Sequence, residues 1–263
     1  IAEGDLKGKP ERIEEYLRLY ETAVLPDKRT FACQLKGLTT ADGTVVISGY
    51  IHYAENKEAL LKFLQFLGLE KIEEHVEVLP SAELGSKLYA VVKAAKSFTY
   101  DRPQTPRETV SQGLIGDPIF LLKKGEDGHF LCTTMEGYVG YIAEADIERM
   151  DAKQFAQYRK GPQAYLQKDF RDGSLFVPAG ARLKLVGKDQ NFAASVQLPT
   201  GEAVDIPGEF VEIRLGARAH DRCQMKNRVE TACTRVIDPF AIEQVAGDEV
   251  IDRERRNDPD EAK

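Results

Sequence analysis

The apolar spacing of this chain changes character near Leu88, and that change limits the folds open to it. Before it, two segments repeat apolar side chains at helical intervals. After it, short apolar runs are cut every few residues by Gly and Pro, the texture of a β-rich region. Two or three modules are therefore expected, which 263 residues also allow.

In the first part, "PERIEEYLRLYETAV" places Ile13, Tyr16, Leu17 and Tyr20 at i, i+3, i+4 and i+7, one face of a helix. Pro10 suits a first turn, and the acids that follow suit the positive end of the helix dipole. "TFACQLKG" and "TVVISGYIHY" flank Asp42-Gly43, a hairpin signal. In "ENKEALLKFLQFLG", Leu60, Leu64 and Leu67 form a second helical stripe beside Phe63, and Gly68 is placed to cap it. "KIEEHVEVLP" alternates through Ile72, Val76 and Val78 and stops at Pro80. The order helix–strand–strand–helix–strand predicts an α+β sandwich, two helices on one face of a small sheet. His52 and His75 fall in its strands without a nucleophile pattern nearby, and are read as packed or surface residues.

Beyond Leu88, "PIFLL", "HFLCT" and "YVGYI" are strand-like, with "KKGEDG" and "TMEG" between them. This spacing suggests a small barrel or sandwich. A weak second copy follows: Gly116, Ile119, Leu121 and Phe130 match Gly180, Leu183, Leu185 and Phe192. Between the copies, "DAKQFAQYRKGP" reads as a short helix that Asp151 caps and Gly161-Pro162 ends.

Apolar residues make up 42% of the chain and charged residues 30%, ordinary values for a globular protein. A net charge of −7 gives no electrostatic reason to expect a nucleic acid or an anionic membrane surface as partner. No apolar run is long enough to cross a bilayer. No signal peptide is present, and the start at Ile1 rather than Met is consistent with a mature form or a fragment. Four cysteines are too sparse for a disulfide scaffold.

The helix and strand order of residues 10–80, with its "DGTVVISGYI" hairpin, resembles a BON-type domain, a small fold found mostly in bacterial envelope proteins. A sharper resemblance lies in "RETVSQGLIGDPIFLL…GHFLCTTMEGYVGYI", which looks like the bacterial SH3 domain preceding the catalytic domain of NlpC-type cell-wall cysteine peptidases. Its E-x-V-[ST]-Q stretch reads Glu108-Thr109-Val110-Ser111-Gln112. Its L-x-G-[EDT] turn reads Leu114-Ile115-Gly116-Asp117, and its G-Y-x-G-W strand reads Gly137-Tyr138-Val139-Gly140-Tyr141. Phe130 and Tyr141 stand where the family has tryptophans. The match spans roughly 90–150 and continues loosely to about 214.

The resemblance implies an α+β chain: a small helix-on-sheet domain, then two SH3-like β-barrels and a charged C-terminal tail. The expected divisions are 1–85 for the BON-like domain, 86–150 for the first barrel and 151–172 for a helical linker. A partial or divergent second barrel would occupy 173–215, and a charged tail whose composition favours disorder 216–263. The implied ligand is the peptidoglycan stem peptide L-Ala-γ-D-Glu-diamino acid, and the implied location is the cell envelope. In the family the first barrel borders the active site and helps recognise the stem's free amino end. By motif match those roles fall on Glu108 and Tyr138, a carboxylate and a phenol suited to an ammonium.

The family's chemistry has no recognisable counterpart. Its nucleophile is a cysteine in D-C-S-G at a helix N-terminus, followed by a histidine base. Cys33 and Cys132 lie in strand contexts. Cys223 and Cys233 lack Ser-Gly after them, and no histidine follows either. His220, Cys223 and Cys233 offer three metal ligands where a structural zinc site needs four. No catalytic residue, metal or cofactor is assigned. Two functional readings stay open: the wall-binding part of an endopeptidase whose catalytic domain is absent from this chain, or a non-enzymatic envelope scaffold that binds proteins or peptides. Within "EGYVGYI", strand alternation places Val139 and Tyr141 in the core and leaves Tyr138 facing a ligand or partner.

Overall fold

The computed structural model describes residues 7–214, apart from 26, 28 and 189–192. Helix α1 (Ile13–Val24) buries Ile13, Tyr16, Leu17 and Tyr20, the whole of its apolar stripe. Glu14 and Glu15 occupy its first turn, where the unpaired N–H groups favour negative charge. Strands β1 (Cys33–Thr39) and β2 (Val45–Ile51) pair antiparallel from Thr39↔Val45. The turn between them uses Gly43 at φ 80°. Helix α2 (Ala54–Phe66) buries Leu60 and Leu64, and Gly68 at φ 86° follows its C-terminus. That helix carries the chain back so that β3 (Ile72–Val78) joins β2 in parallel. The Tyr20 hydroxyl donates to the Asn56 carbonyl at 2.6 Å, tying α1 to α2 over one shared core.

The next ten residues change sheet. Strands β4 (Tyr89–Val92), β5 (Lys96–Tyr100), β6 (Thr109–Leu114), β7 (Pro118–Lys124), β8 (His129–Thr133), β9 (Val139–Ala143) and β10 (Ile147–Met150) form a seven-stranded sheet. Its order is β10-β4-β7-β8-β9-β5-β6. Helix α3 (Ala152–Arg159) starts on a reciprocal cap: Asp151 Oδ1 accepts from the Gln154 N–H at 2.8 Å, and Gln154 Oε1 accepts from the Asp151 N–H at 3.0 Å. Strands β11 (Gln163–Leu166), β12 (Phe170–Asp172), β13 (Leu175–Val177), β14 (Arg182–Lys188), β15 (Ala194–Gln197), β16 (Ala203–Ile206) and β17 (Val211–Arg214) follow. Five of them make a sheet ordered β16-β15-β14-β11-β17, and β12 and β13 pair apart from it.

This architecture corrects the expected fold class. The described residues are mainly strand, in open sheets with three short helices, rather than a helix-on-sheet domain followed by two closed SH3-like barrels. The seven-stranded sheet ends on β10 and β6, and the five-stranded sheet on β16 and β17, with no pairing between the ends. Strand count and turn spacing predict hairpins. Closure depends on register between the first and last strands, which local patterns do not encode. The proposed tail, 216–263, lies outside the described residues.

The positions matched by the weak internal repeat agree only in part, since Leu121 is buried and Leu185 half-buried. Gly116 and Gly180 both have positive φ and both precede a strand, β7 and β14. Ile119, Leu121 and Leu183 are buried, while Phe192 lies outside the described residues.

Two junctions hold the sheets together. On one side Ala32, Leu79, Leu122, Leu131 and Val139 form an apolar cluster between the first sheet and β7–β9. The Ser81 N–H donates to the Leu122 carbonyl at 2.7 Å, and Lys123 Nζ meets Glu77 Oε2 at 2.6 Å. On the other side the turn 114–117 enters the five-stranded sheet. Ile115 is buried in that sheet's core with Leu183 and Val196. Gly116 has φ 94°, and a Cβ there would sit 1.8 Å from the Arg182 carbonyl oxygen. Asp117 Oδ2 accepts from the Leu114 N–H at 2.9 Å, while Oδ1 pairs with Arg182 Nη2 at 3.3 Å.

A side chain at residue 116 must push the two sheets apart. Gly116→Ala is therefore expected to lower the melting temperature by roughly 5–10 °C. Gly128, at φ 67° with nothing within 4 Å of a Cβ, controls for backbone strain alone. Equal melting temperatures for the two alanine variants would contradict the close approach.

Candidate functional site

Strand β5 lies between β9 and β6, pairing Tyr100 with Tyr141 on one side and with Thr109 on the other. Both neighbours run antiparallel to it, so their first residues gather at its C-terminal end. Glu108 precedes β6 and Tyr138 precedes β9. The two sequence-predicted residues thus come to one end of the sheet, two strand spacings or on the order of 10 Å apart. Gly140 permits this: a Cβ there would lie 3.0 Å from both Thr99 Cβ and the Tyr100 carbonyl oxygen.

Glu108 is exposed. Its backbone is fixed by Asp101, whose Oδ1 accepts from the Glu108 N–H at 2.8 Å and whose N–H donates to the Glu108 carbonyl at 3.0 Å. Asp101 is itself held below the usual carboxylate range, first by the hydrogen bond from Arg102 and next by the Glu108 N–H. The Glu108 carboxylate makes no hydrogen bond with a described residue, is exposed, and interacts electrostatically with Arg102.

The loop before Glu108 is pinned by residues that no sequence motif marked. The Arg107 guanidinium lies 3.6 Å from the Tyr100 ring centroid, donates to the Pro103 carbonyl at 2.9 Å and faces His129 Nε2 at 3.0 Å. His129 Nδ1 contacts the Asp127 carbonyl at 2.9 Å, so Nδ1 carries the proton and Nε2 accepts from Arg107. Gln104 Nε2 reaches Glu126 Oε2 at 2.7 Å. Arginine stacking of this kind depends on a partner brought in by β5, so spacing along the chain gives no signal of it.

Tyr138 is half-buried. Its backbone closes a turn: the Thr134 N–H donates to the Tyr138 carbonyl at 2.8 Å, and Gly137 takes φ 91°. The Arg29 guanidinium lies 5.7 Å from its ring centroid, and the next N–H, of Val139, donates to the Arg29 carbonyl. The segment before β1 therefore walls one side of Tyr138.

The division expected within "EGYVGYI" is corrected in part. Tyr141 does not fill the main core of the seven-stranded sheet; Ile142, opposite Phe130, does. Tyr141 is half-buried on the other face, with its hydroxyl 3.4 Å from that of Tyr50. The sheet is covered on both faces here, so alternation could not tell which face is the core. Val139 shares the Tyr141 face and the cluster against the first sheet.

The cysteine thiols that can be described are unlike nucleophiles. Cys132 is fully buried, donates to the Gly140 carbonyl at 3.3 Å, and has its pKa pushed up by that burial. Cys33 is half-buried in β1. His220, Cys223 and Cys233 lie outside the described residues. Among those described, no group of three His, Cys, Asp or Glu could hold a metal ion. No described helix is long and apolar enough to cross a membrane.

No protein-family profile matches the chain, and no curated protein matches it. Solved structures similar to it are NlpC/P60 proteins. One is an NlpC/P60 family protein from Bacillus cereus, at 15% identity and TM-score 0.42, covering 49% of this chain and 57% of that one. Another is an NlpC/P60 endopeptidase from Photobacterium damselae subsp. piscicida, at 12% identity and TM-score 0.38, covering 52% and 35%. A third is NlpC2 from Trichomonas vaginalis, at 9% identity and TM-score 0.21, covering 48% of each chain. The chain thus spans about a third to somewhat over half of the length of these proteins.

His52, buried just after β2, is stacked on Tyr53 at 4.2 Å and lies 5.5 Å from Phe31. Its Nδ1 accepts from the Ala32 N–H at 3.4 Å. Desolvation lowers its pKa to about 4, against 6.5 for a free imidazole. The unfolded chain then binds the extra proton between those values, so native stability falls as pH drops from 6.5 to 4. Denaturant unfolding should show the native chain losing roughly 2–3 kcal/mol more than His52→Gln between pH 7 and pH 4.5. Identical losses would show that His52 is not buried as a neutral group.

Proposed function

We propose that this chain binds the peptidoglycan stem peptide through Glu108 and Tyr138, as the recognition and targeting part of a cell-envelope γ-D-glutamyl-diamino-acid endopeptidase. The observation that carries the reading is the convergence of these two motif residues at one end of the seven-stranded sheet, with the exposed Glu108 carboxylate making no hydrogen bond with a described residue. The stem's free amino end is an ammonium. A carboxylate gives it a charge-assisted hydrogen bond, and a phenol oxygen gives it a second acceptor.

The support is chemical as well as positional. Asp101 lies beside Glu108 but already accepts from Arg102 and from the Glu108 N–H, so Glu108 is the carboxylate left to act. Arg29, 5.7 Å from the Tyr138 ring centroid, is already paired with Asp27 at 3.0 Å, so it walls the ring without leaving a free charge there. The catalytic step belongs to a partner domain or protein. In this chain, Cys132 is buried with a raised pKa and lacks the exposed, electropositive setting of a thiolate nucleophile.

Retention on purified peptidoglycan tests the proposal. Wild type should be retained and displaced by soluble L-Ala-γ-D-Glu-diaminopimelate. The peptide acetylated at its L-Ala nitrogen, which keeps only the diaminopimelate ammonium, should displace at least tenfold less well. Glu108→Gln and Tyr138→Phe should each weaken retention, about tenfold for the charged contact. Absence of retention, or equal displacement by the acetylated peptide, would overturn the assignment. Turnover of the stem peptide by this chain alone would contradict a binding-only role.

A further inference from the structure

A cleft of about 380 Å³ opens between β10–α3 on one side and the five-stranded sheet on the other. It contains neither Glu108 nor Tyr138. Its sheet wall follows from strand register. Gln163 on β11 pairs with Lys184 on β14, and Lys184 pairs with Gln197 on β15. Directly paired residues share a face. Their neighbours Ala164, Leu183 and Val196 fill the core on the opposite face. A polar row therefore crosses three adjacent strands on the face turned away from that core, and Lys184 and Gln197 line the cleft.

Hydrogen-bond donors near this wall lack acceptors. Tyr158 lines the cleft at 6% exposure, and its buried hydroxyl has no hydrogen-bond partner among the described residues. Gln163 Nε2 and Arg149 Nε are likewise buried without hydrogen-bond partners among the described residues. Lys184 is half-buried and makes no ion pair with a described residue. Buried polar groups are normally satisfied, so a concentration of orphans in one place requires explanation. Every one of these groups can donate, and the guanidine, amide nitrogen and ammonium can only donate. The missing complement is an acceptor. Charge points the same way: Lys87, Arg149 and Lys184 line the cleft, and among the described residues Glu148 is the one lining carboxylate and also faces Lys93 at 3.7 Å, while Asp117, not in the lining, acts on Tyr158.

We propose that this cleft binds the carboxylate end of a short peptide, with Lys184 as the ion partner and Tyr158 as a hydrogen-bond donor. The volume suits a ligand of a few residues. The 198–201 turn, with Leu198 and Pro199, and Met150 opposite supply apolar contact for its side chains. Arg149 is anchored by donating to the Leu84 and Lys87 carbonyls at 3.1 and 3.2 Å, so it adds a fixed positive charge. The site is independent of the stem-peptide reading, which concerns an ammonium at the other location.

The test uses the intact chain and N-acetyl-trialanine as probe, followed by calorimetry or amide shifts. Saturable binding is expected for the free acid, with at least tenfold weaker binding for its C-terminal amide. Lys184→Gln should weaken the acid about tenfold and leave the amide unchanged. Tyr158→Phe keeps the ring and its packing, and should weaken the acid without lowering the melting temperature. Equal binding of acid and amide, no saturable binding of the acid, or tighter binding of inorganic phosphate than of the acid would each overturn the proposal.

Discussion

The contact on which the arrangement depends is the approach of Gly116 to the Arg182 backbone. At φ 94°, with no room for a Cβ, this residue lets one turn serve two sheets. Ile115 enters the core of the five-stranded sheet while Leu114 and Asp117 bracket the seven-stranded one. The Asp117–Arg182 pair is mostly removed from solvent, and Asp117 also accepts from the Leu114 N–H. A half-buried ion pair with its remaining lone pairs used specifies geometry more than it adds stability. The relative placement of β10, α3 and β14, and with it the cleft between them, follows from this junction.

The opposite face of the seven-stranded sheet is closed by the first sheet. Leu122, Leu131 and Val139 meet Ala32 and Leu79 there, and Tyr50 meets Tyr141. The same docking brings Arg29 to Tyr138. Tyr138 is thus set by three elements: the Thr134 turn, β9 and the segment before β1. Glu108 is set by Asp101 and by the Arg107–Tyr100–His129 stack. The backbones of both residues are therefore fixed, which would limit the ordering entropy lost by binding of the kind proposed.

Local features were legible in the sequence because local chemistry determines them. The α1 stripe, the Asp42-Gly43 turn, the Asp151 cap and the Gly116 and Gly180 turns each depend on residues a few positions apart. Sheet closure was not legible. It depends on whether β10 meets β6, and nothing within either strand encodes that pairing. The role of Tyr141 was misjudged for a related reason: Ile142 and Tyr141 are both apolar, and a sheet covered on two faces erases the alternation that identifies a core. The convergence of Glu108 and Tyr138 came from a motif, but Arg29 and Arg107 came only with the fold. The donors around Lys184 were invisible because each is unremarkable alone, and only strand register sets them side by side.

The most direct test of the central claim is a titration of the isotopically labelled chain with L-Ala-γ-D-Glu-diaminopimelate, followed by backbone amide shifts. The account predicts that the largest shifts fall on Asp101, Glu108, Gly137, Tyr138 and Arg29, at the shared end of β5, β6 and β9. Shifts confined to other residues, or no saturable shift, would contradict it.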